Sequence, residues 1–444
     1  MPTYRIVTLG CKLNQADSSA LETGLQALGL SRAAETDGGP PGGADLVILN
    51  TCTVTAGADR EARQLARRLR RANPDATLIA TGCYAERQGG DLASVAGVDY
   101  VVGMQDQAQR IGELAARAFD LPFERDGRTT GRFGATAACD PHDPAVERTR
   151  AYLKIQDGCD LRCAYCIIPT VRGASRSLEP DEVLRRIARL GAAGYREIVF
   201  TGVNTGDYGR DLGSPLRLHD LLQRALDLPG LGRLRLNSLE PRTVTPEIVR
   251  LMAASDGRLA RHIQIPLQSG CDTVLARMRR NYRTSDYARV VERLRAAAPS
   301  IGLGADVIVG FPGESGSEFE TTLRFIEDSP LNYLHVFSYS PRPGTPAAAL
   351  PDQVAPRTIK ERSARLRALG RSLSHRFRGS FIGRTLPILT LRAVRPDGRL
   401  RALSDNFIDL GVDLEASPAG PLINRLLCAT ITGVSPDDTT ARLA

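Results

Sequence analysis

Three cysteines lie close together in residues 158–166, where the sequence reads GCDLRCAYC. The CxxxCxxC spacing supplies thiolates from Cys159, Cys163 and Cys166 and no fourth ligand. Cysteine thiolates hold iron–sulfur clusters, usually four per [4Fe-4S] cubane, so three ligands leave one iron open. Open coordination is typical of catalytic metal sites, and a closed tetrahedral set is typical of structural ones. We therefore predict a catalytic cluster. A zinc knuckle is disfavoured because it needs a fourth Cys or His at short spacing.

A second set of cysteines is spread over the amino-terminal part of the chain. Cys11, Cys52 and Cys83 each follow a short β-branched or apolar run, at residues 4–9, 46–50 and 77–81. In an open parallel α/β sheet the loops after the carboxyl ends of the strands converge on one crevice. Three thiols distant in sequence are thus expected to meet there. A single buried cysteine more often acts as a small hydrophobe, but the repeated position favours a second cluster.

Length and charge limit the class of protein. The 444 residues suffice for two to four domains with hydrophobic cores of their own. The formal net charge of +8, mostly from arginine, is compatible with a polyanionic partner but does not require one. Neither a leader-like start nor a membrane-length apolar window is evident, so we expect a cytoplasmic location. In that compartment nine cysteines indicate metal binding or catalysis more than disulfides.

The amino-terminal part alternates strand-like and helix-like patterns. Strands are expected at the three runs above and at residues 99–102, and helices at residues 16–28, 56–72 and 105–118. This alternation predicts an open parallel α/β sheet over residues 1–120. Residues 121–148 lose all periodicity and are rich in glycine, proline and charged residues, which predicts a linker.

The rest of the chain predicts a partial barrel and a smaller β-barrel. Strand-like runs occur at residues 152–156, 197–201, 233–238, 262–267, 302–309 and 333–339, with helical patterns at residues 180–190, 216–226, 246–254, 285–298 and 318–328. Six βα units predict a partial barrel over residues 149–378, with catalytic groups at the carboxyl ends of its strands. A basic amphipathic helix is expected at residues 361–377. Short strands broken by turn residues then predict a small β-barrel over residues 379–444.

Several motifs together resemble a known family. The CxxxCxxC loop is similar to the signature of radical S-adenosylmethionine enzymes, and LGCKLNQAD, NTCTVT and GCYA around the other three cysteines resemble the amino-terminal signature of the methylthiotransferases. The resemblance covers nearly the whole chain. It implies two [4Fe-4S] clusters, one for radical generation and one for sulfur delivery, S-adenosylmethionine as cofactor, and a carboxy-terminal nucleic-acid-binding barrel called the TRAM domain.

One subgroup of that family is the best match. Residues 10–15, 50–55, 264–270 and 335–345 are similar to enzymes acting on N6-threonylcarbamoyladenosine in tRNA. The resemblance implies that a methylthio group replaces the hydrogen on C2 of this base, next to the anticodon. One S-adenosylmethionine would donate the methyl group and another the radical, with a low-potential electron donor such as flavodoxin or ferredoxin. The C2–H bond is strong and offers no polar group that an acid or base could act on, so a cofactor-derived radical suits this reaction.

Other functions remain open at this point. Isopentenyladenosine in tRNA and an aspartate of a ribosomal protein are alternative substrates within the family. A different class is a non-enzymatic iron–sulfur protein that binds RNA or senses redox state. The missing fourth ligand of each trio argues against this class, because a sensor has no need for an open iron.

The resemblance also implies residues that contact the cofactor. Tyr165 is expected near its adenine, and Thr201, Gly202 and Asn204 near its amino group. Ser238 and Glu240 resemble ribose-side contacts, and Asp306 belongs to a segment that resembles one packed near the adenine. Glycine lets the main chain approach a ligand, and a carboxylate suits hydroxyl or ammonium groups. Each of these residues could equally be a core tyrosine, a turn glycine, a helix cap or a surface acid.

Arginines suggest an RNA-binding surface. At about 100° per residue, the helix at residues 56–72 has an apolar stripe on one face and Arg60, Arg63, Arg67 and Arg70 on another. This face predicts a phosphate track, although a charge run is more often a solvated face. Arg172 and Arg176 are candidates for the cofactor carboxylate or for phosphate, and Tyr282 for base stacking. We expect that Cys139, Cys271 and Cys428 are not ligands.

Overall fold

The structure is a computed structural model that describes residues 1–34, 43–95, 97–123, 149–414 and 422–444. Most of the predicted linker, residues 124–148 with Cys139, lies outside the described residues. None of the helices in the described ranges combines the length and apolar character that a bilayer crossing needs.

The amino-terminal sheet has five parallel strands in the order β2-β1-β3-β4-β5. They are β1 (Thr3–Thr8), β2 (Ser31–Arg32), β3 (Leu46–Thr51), β4 (Thr77–Gly82) and β5 (Tyr100–Val102). The helices are α1 (Lys12–Ala27), α2 (Ala56–Ala72), α3 (Cys83–Ala93) and α4 (Gln107–Ala118). Apolar residues of α1 and α4 pack on one face of the sheet, and those of α2 and α3 on the other. Because both faces are covered, β3 is buried along its whole length.

Six parallel strands form the central open barrel in the order β6-β9-β10-β11-β12-β13. They are β6 (Ala151–Lys154), β9 (Glu197–Thr201), β10 (Arg233–Leu236), β11 (His262–Gln264), β12 (Gly302–Val309) and β13 (Tyr333–Ser338). A separate ribbon joins β7 (Gln156–Asp157) to β8 (Arg176–Ser177). The helices are α5 (Ile168–Arg172), α6 (Pro180–Ala192), α7 (Leu218–Leu226), α8 (Pro246–Ala254), α9 (Asp272–Arg277), α10 (Thr284–Ala297), α11 (Gly316–Asp328) and α12 (Pro356–Gly379).

Side chains alternate strictly along the barrel strands. Outward residues such as Ile198, Leu234 and Leu303 join the helices in the main hydrophobic core. Polar residues face inward, and we call the concave space they line the lumen. Glu197 accepts hydrogen bonds from Arg233 and Arg235 within it. A lumen lined by polar groups is suited to a polar ligand, because a purely structural barrel would be filled with apolar side chains.

The carboxy-terminal strands close a five-stranded barrel in the order β14-β15-β16-β18-β17. They are β14 (Thr385–Val394), β15 (Leu400–Ser404), β16 (Asp409–Asp413), β17 (Leu426–Val434) and β18 (Thr439–Leu443). Phe407, between β15 and β16, stacks on His262 with ring centroids 4.2 Å apart and closes one end of the lumen. The predicted fold class is therefore confirmed in all three parts. The domain boundaries at residues 120, 148 and 378 stay predictions.

Candidate active site

The sheet brings the three amino-terminal cysteines to one edge. Cys11 follows β1, Cys52 follows β3 and Cys83 begins α3 directly after β4, and these three strands are neighbours in the sheet. The Sγ atoms of Cys11 and Cys83 lie 3.9 and 4.0 Å from Asn14 Oδ1. Gly10 has a φ of +98°, and a Cβ at this position would lie 2.6 Å from Cys52 Cβ. Glycine is therefore required for the two cysteine-bearing loops to approach.

The second trio lies in the loop after β7. Cys159 and Cys163 are buried, and Cys166 is half-buried. Two backbone hydrogen bonds hold this loop, from Cys159 N to Gly173 O at 3.1 Å and from Ala164 N to Met278 O at 2.9 Å. Gly158 has a φ of +71°, and any Cβ there would collide with the Ala174 carbonyl oxygen. The chain therefore positions all three thiols with its backbone.

The two trios face each other across the domain interface. Cys83 packs with Ile167 and Val171 in one small apolar cluster, and Ile167 directly follows Cys166. Val54, in the loop after Cys52, lines a cavity of about 190 Å³ together with Tyr165 and Cys166. The structure thus places a loop of each trio against the other.

Burial disfavours the thiolate form of Cys83, Cys159 and Cys166. Burial raises the pKa of Cys83 and of Cys159 to about 11 and that of Cys166 to about 12. Thiols must lose their protons to bind a metal, so cluster assembly releases protons here.

The donor sets fit iron–sulfur clusters. In the described part of the chain, no three His, Cys, Asp or Glu side chains converge on a single metal ion. A [4Fe-4S] cluster takes one thiolate on each ligated iron, so its cysteines stand apart around the cluster. The three thiol donors of each trio therefore fit a [4Fe-4S] cluster.

A buried ionic network joins the two halves of the site. The Arg172 guanidinium bonds Asp17 on α1 at 2.9 Å, Asp157 before the cysteine loop at 3.0 and 3.1 Å, and Cys83 Sγ at 3.3 Å. Lys154 pairs with the same two carboxylates at 2.5 and 3.1 Å. Burial would raise the pKa of Asp157, but the charges of Lys154 and Arg172 outweigh it and lower the pKa to about 2.

Arg280 lies beside the second trio and was not among the predicted site residues. Its Nη1 donates to Cys163 Sγ at 3.1 Å, and its Nη2 pairs with Glu240. The guanidinium carbon lies 4.9 Å from the ring centroid of Tyr282. No local motif in the sequence indicates that Arg280 folds back onto the cysteine loop.

The predicted cofactor contacts gather at the carboxyl ends of the barrel strands. Thr201 Oγ1 and Asn204 Oδ1 are buried without a hydrogen-bond partner. Gly202 is tightly packed, since a Cβ there would lie 2.8 Å from Gln156 O. Orphaned buried polar atoms are rare and indicate a missing ligand or water. These groups therefore fit a small polar cofactor such as S-adenosylmethionine.

The remaining predicted contacts lie around the same space. Tyr165 and Asp306 line the cavity beside Cys166. Ser238 follows β10 and uses its backbone carbonyl to accept from Thr205. Glu240 keeps one carboxylate oxygen on Arg280. The structure thus gathers all seven predicted contacts near the cysteine loop.

Three side chains predicted to contact RNA have their hydrogen-bonding groups engaged within the protein. Arg172 is 4% exposed and its donors are used within the protein. Arg70 donates to the backbone oxygens of Gly97, Pro74 and Ala76 and pairs with Asp99. Tyr282 is 4% exposed, and its hydroxyl donates to the carbonyls of Pro266 and Leu267. None of these side chains is free for nucleic acid.

The other predicted arginines differ in exposure. Arg63 is half-buried and donates to the Tyr84 hydroxyl. Arg60 and Arg67 on α2 are exposed, as is Arg176. On the carboxy-terminal barrel, Arg395 and Arg401 both pair with Asp409, so the positive charge of the barrel surface is partly neutralised there.

Two family profiles match the sequence. That of the Radical SAM superfamily matches residues 153–326, and that of the uncharacterized protein family UPF0004 matches residues 3–103. The first match covers most of the open barrel and ends before β13, and the second spans the amino-terminal sheet from β1 to β5.

Curated relatives match over most of their length. "Threonylcarbamoyladenosine tRNA methylthiotransferase MtaB" of Bacillus subtilis is 38% identical, with 89% of this chain and 86% of that protein covered. "tRNA-2-methylthio-N(6)-dimethylallyladenosine synthase" of Thermobifida fusca is 35% identical, with 87% and 77% covered.

A solved structure shares the fold. The radical S-adenosylmethionine methyltransferase TsrM of Kitasatospora setae, solved with cobalamin and a [4Fe-4S] cluster, has a TM-score of 0.56 at 17% identity, with 78% of this chain and 77% of that chain covered.

Proposed function

This chain belongs to the radical S-adenosylmethionine methylthiotransferase family, and from that premise we propose that it methylthiolates C2 of N6-threonylcarbamoyladenosine in tRNA. The relatives named for this reaction include the 38% identical Bacillus subtilis protein. The cofactors are S-adenosylmethionine and [4Fe-4S] clusters. The substrate places the reaction in the cytoplasm.

The observation that carries the proposal is the packing of one cysteine trio against the other. Cys83 shares an apolar cluster with Ile167, the residue after Cys166. A reaction that breaks a C–H bond and delivers sulfur to the same carbon needs both centres within reach of one substrate atom. Apolar residues between them also exclude water from a reactive intermediate.

Each trio has its own role in this proposal. Cys159, Cys163 and Cys166 would hold the cluster that, with bound S-adenosylmethionine and an electron from flavodoxin or ferredoxin, would supply a carbon-centred radical. Cys11, Cys52 and Cys83 hold the sulfur-delivering cluster, and a second S-adenosylmethionine donates the methyl group.

The residues of the chain orient and enclose these groups. The free oxygens of Thr201 and Asn204 would accept from the cofactor ammonium, and Gly202 lets the loop that carries them pack against Gln156. Tyr165, Ser238, Glu240 and Asp306 surround its nucleoside part. On the outer surface, Arg60 and Arg67 of α2, together with Arg176, contact tRNA phosphates.

Nucleoside analysis tests the proposal directly. Total tRNA from a strain lacking the gene, complemented with the wild-type gene or with Cys159→Ala, is digested and measured by mass spectrometry. We expect 2-methylthio-N6-threonylcarbamoyladenosine to disappear in the deletion and to return only with the wild type. Retention of this nucleoside, or loss of the methylthio group from isopentenyladenosine instead, would refute the proposed substrate.

A further inference from the structure

Lys12 is a cation inside the lumen without a carboxylate partner. It is the first residue of α1 and directly follows Cys11. Its Nζ donates to Asn237 Oδ1 at 3.0 Å and lies 5.6 Å from the centre of the Phe407 ring. Among the residues that the structure describes, it forms no ion pair. Its side chain is half-buried, so its charge is only partly hydrated.

Three other cations close to the lumen and the cysteine loop form ion pairs within the protein. Arg235 pairs with Glu197, Arg280 with Glu240, and Lys154 with Asp17. Buried charges are normally paired, because an isolated one loses its hydration without compensation. An unpaired ammonium in this place therefore indicates an anionic partner that arrives with a ligand.

The space near Lys12 is open and polar. Asn237 precedes Ser238, which forms a parallel β-bridge with Gln264 of the neighbouring strand, so Lys12 Nζ lies near the level of Gln264. At this level His335 Nδ1 is 2.8 Å from Gln264 Nε2 and 3.3 Å from Asp306 Oδ1. The His335 side chain is 47% exposed, which shows that solvent reaches the lumen here. Asp306 also lines the cavity beside Cys166, so the two spaces adjoin.

We propose that Lys12 binds the carboxylate of the threonyl group on the substrate base and so selects bases with an anionic N6-substituent. This inference rests on the proposed function. N6 is attached to C6, and C6 and C2 flank N1 in the same ring, so holding the N6-substituent orients C2. Because Lys12 follows Cys11, the carboxylate anchor and a proposed sulfur-delivering ligand are consecutive residues. Asn237 is a positioning residue that holds the ammonium in the lumen.

The few lysines of the chain provide a matched control for Lys12. The sequence contains only three lysines, Lys12, Lys154 and Lys360, among 58 basic residues. Lys154 belongs to the buried ionic network, and Lys360 is exposed on α12. Lys360→Gln is thus a matched control that removes the same charge far from the lumen.

The test compares two RNA ligands that differ in one charge. Anticodon stem-loops carrying N6-threonylcarbamoyladenosine, or its threonyl methyl ester, are titrated onto anaerobically reconstituted protein and followed by fluorescence anisotropy. We expect the wild type and Lys360→Gln to bind the acid about ten- to a hundredfold more tightly than the ester, as for a lost charge-assisted hydrogen bond. Lys12→Gln should abolish this preference, and Lys12→Arg should keep part of it.

Turnover adds a second readout. In Lys12→Gln, KM for the acid RNA should rise, while iron content and S-adenosylmethionine cleavage without RNA stay at the wild-type level. A general loss of iron in Lys12→Gln would instead indicate that Lys12 supports the neighbouring cluster. If the Lys12→Gln protein that remains folded then still prefers the acid RNA, the inference is overturned.

The inference fails if the wild type binds ester and acid alike, or if Lys12→Gln retains the preference. Should Lys12→Gln not fold, Asn237→Ala decides: an unchanged preference in this variant also overturns the inference. Failure of the proposed function looks different, because the wild type would then leave the acid RNA unmodified. Failure of this inference alone leaves a wild type that methylthiolates acid and ester equally.

Discussion

Replacing Arg172 by methionine should loosen the interface between the two cysteine trios. The Arg172 side chain is 2% exposed and bonds Asp17 and Asp157 together. Its removal leaves two buried carboxylates with only Lys154 between them. Breaking a buried ion pair from one side costs about 3–5 kcal/mol, and we expect the lower end because Lys154 remains.

Amide hydrogen exchange measures this loss locally, without requiring the whole chain to unfold in one step. A loss of about 3 kcal/mol corresponds to about a hundredfold faster exchange of the protected α1 amides. Arg185→Met is the control: Arg185 is 61% exposed and pairs with Glu182 on the surface, so it should change exchange less than about fivefold. Adding Asp17→Asn to Arg172→Met removes the excess negative charge and should recover part of the loss. Exchange in Arg172→Met as slow as in Arg185→Met would refute the reasoning.

Two further predictions concern acid stability and tRNA binding. Burial would raise the pKa of Glu197, but the charges of Arg235 and Arg233 outweigh burial and lower the pKa to about 2. The ionised Glu197 carboxylate therefore contributes fully to the stability of the fold above about pH 4.5, and this contribution is lost as the pH falls toward 2. Glu197→Gln should melt at a lower temperature than the wild type at pH 7 and should lose less on acidification to pH 3; equal slopes of melting temperature against pH would contradict this. Replacing both Arg60 and Arg67 by glutamine should weaken tRNA binding at low salt and reduce the slope of log affinity against log salt by about 2, and an unchanged slope would exclude α2 from the phosphate contacts.

The architecture could be predicted because both periodicities are clear in the sequence. The run at β9 and the helix α2 were predicted with the bounds that the structure has, since β-branched residues and an arginine-rich amphipathic pattern mark them. The convergence of three thiols at the carboxyl end of the sheet could be predicted from the topology of parallel strands alone.

The start of α1 was predicted too late, at residue 16 instead of Lys12. Cys11 occupies the N-cap position without a side-chain capping hydrogen bond, so no Ser, Thr, Asp or Asn marks the boundary. Lys12 and Asn14 lie in the turn that was missed, and both face the site. Helix α3 was also missed, because Gly89 and Gly90 weaken the helical pattern and the helix kinks at Gln88.

Long-range pairing could not be predicted from local patterns. The local sequence does not distinguish Arg70 and Arg172 from exposed arginines. Each nevertheless pairs with a carboxylate distant in sequence, Asp99 for Arg70 and Asp17 for Arg172. The same holds for Arg280, which folds back onto Cys163. Exposure of a charged side chain is decided by tertiary packing, and periodicity reports only the face of its own helix.

The central claim is that two cysteine trios each hold a [4Fe-4S] cluster. Iron analysis with Mössbauer spectroscopy on anaerobically reconstituted protein tests it most directly, comparing the wild type with the triple alanine variants of Cys11, Cys52 and Cys83 and of Cys159, Cys163 and Cys166. We predict two [4Fe-4S] clusters in the wild type and about half of its iron in each variant. Zinc in place of iron, or full iron content after loss of the amino-terminal trio, would contradict the account.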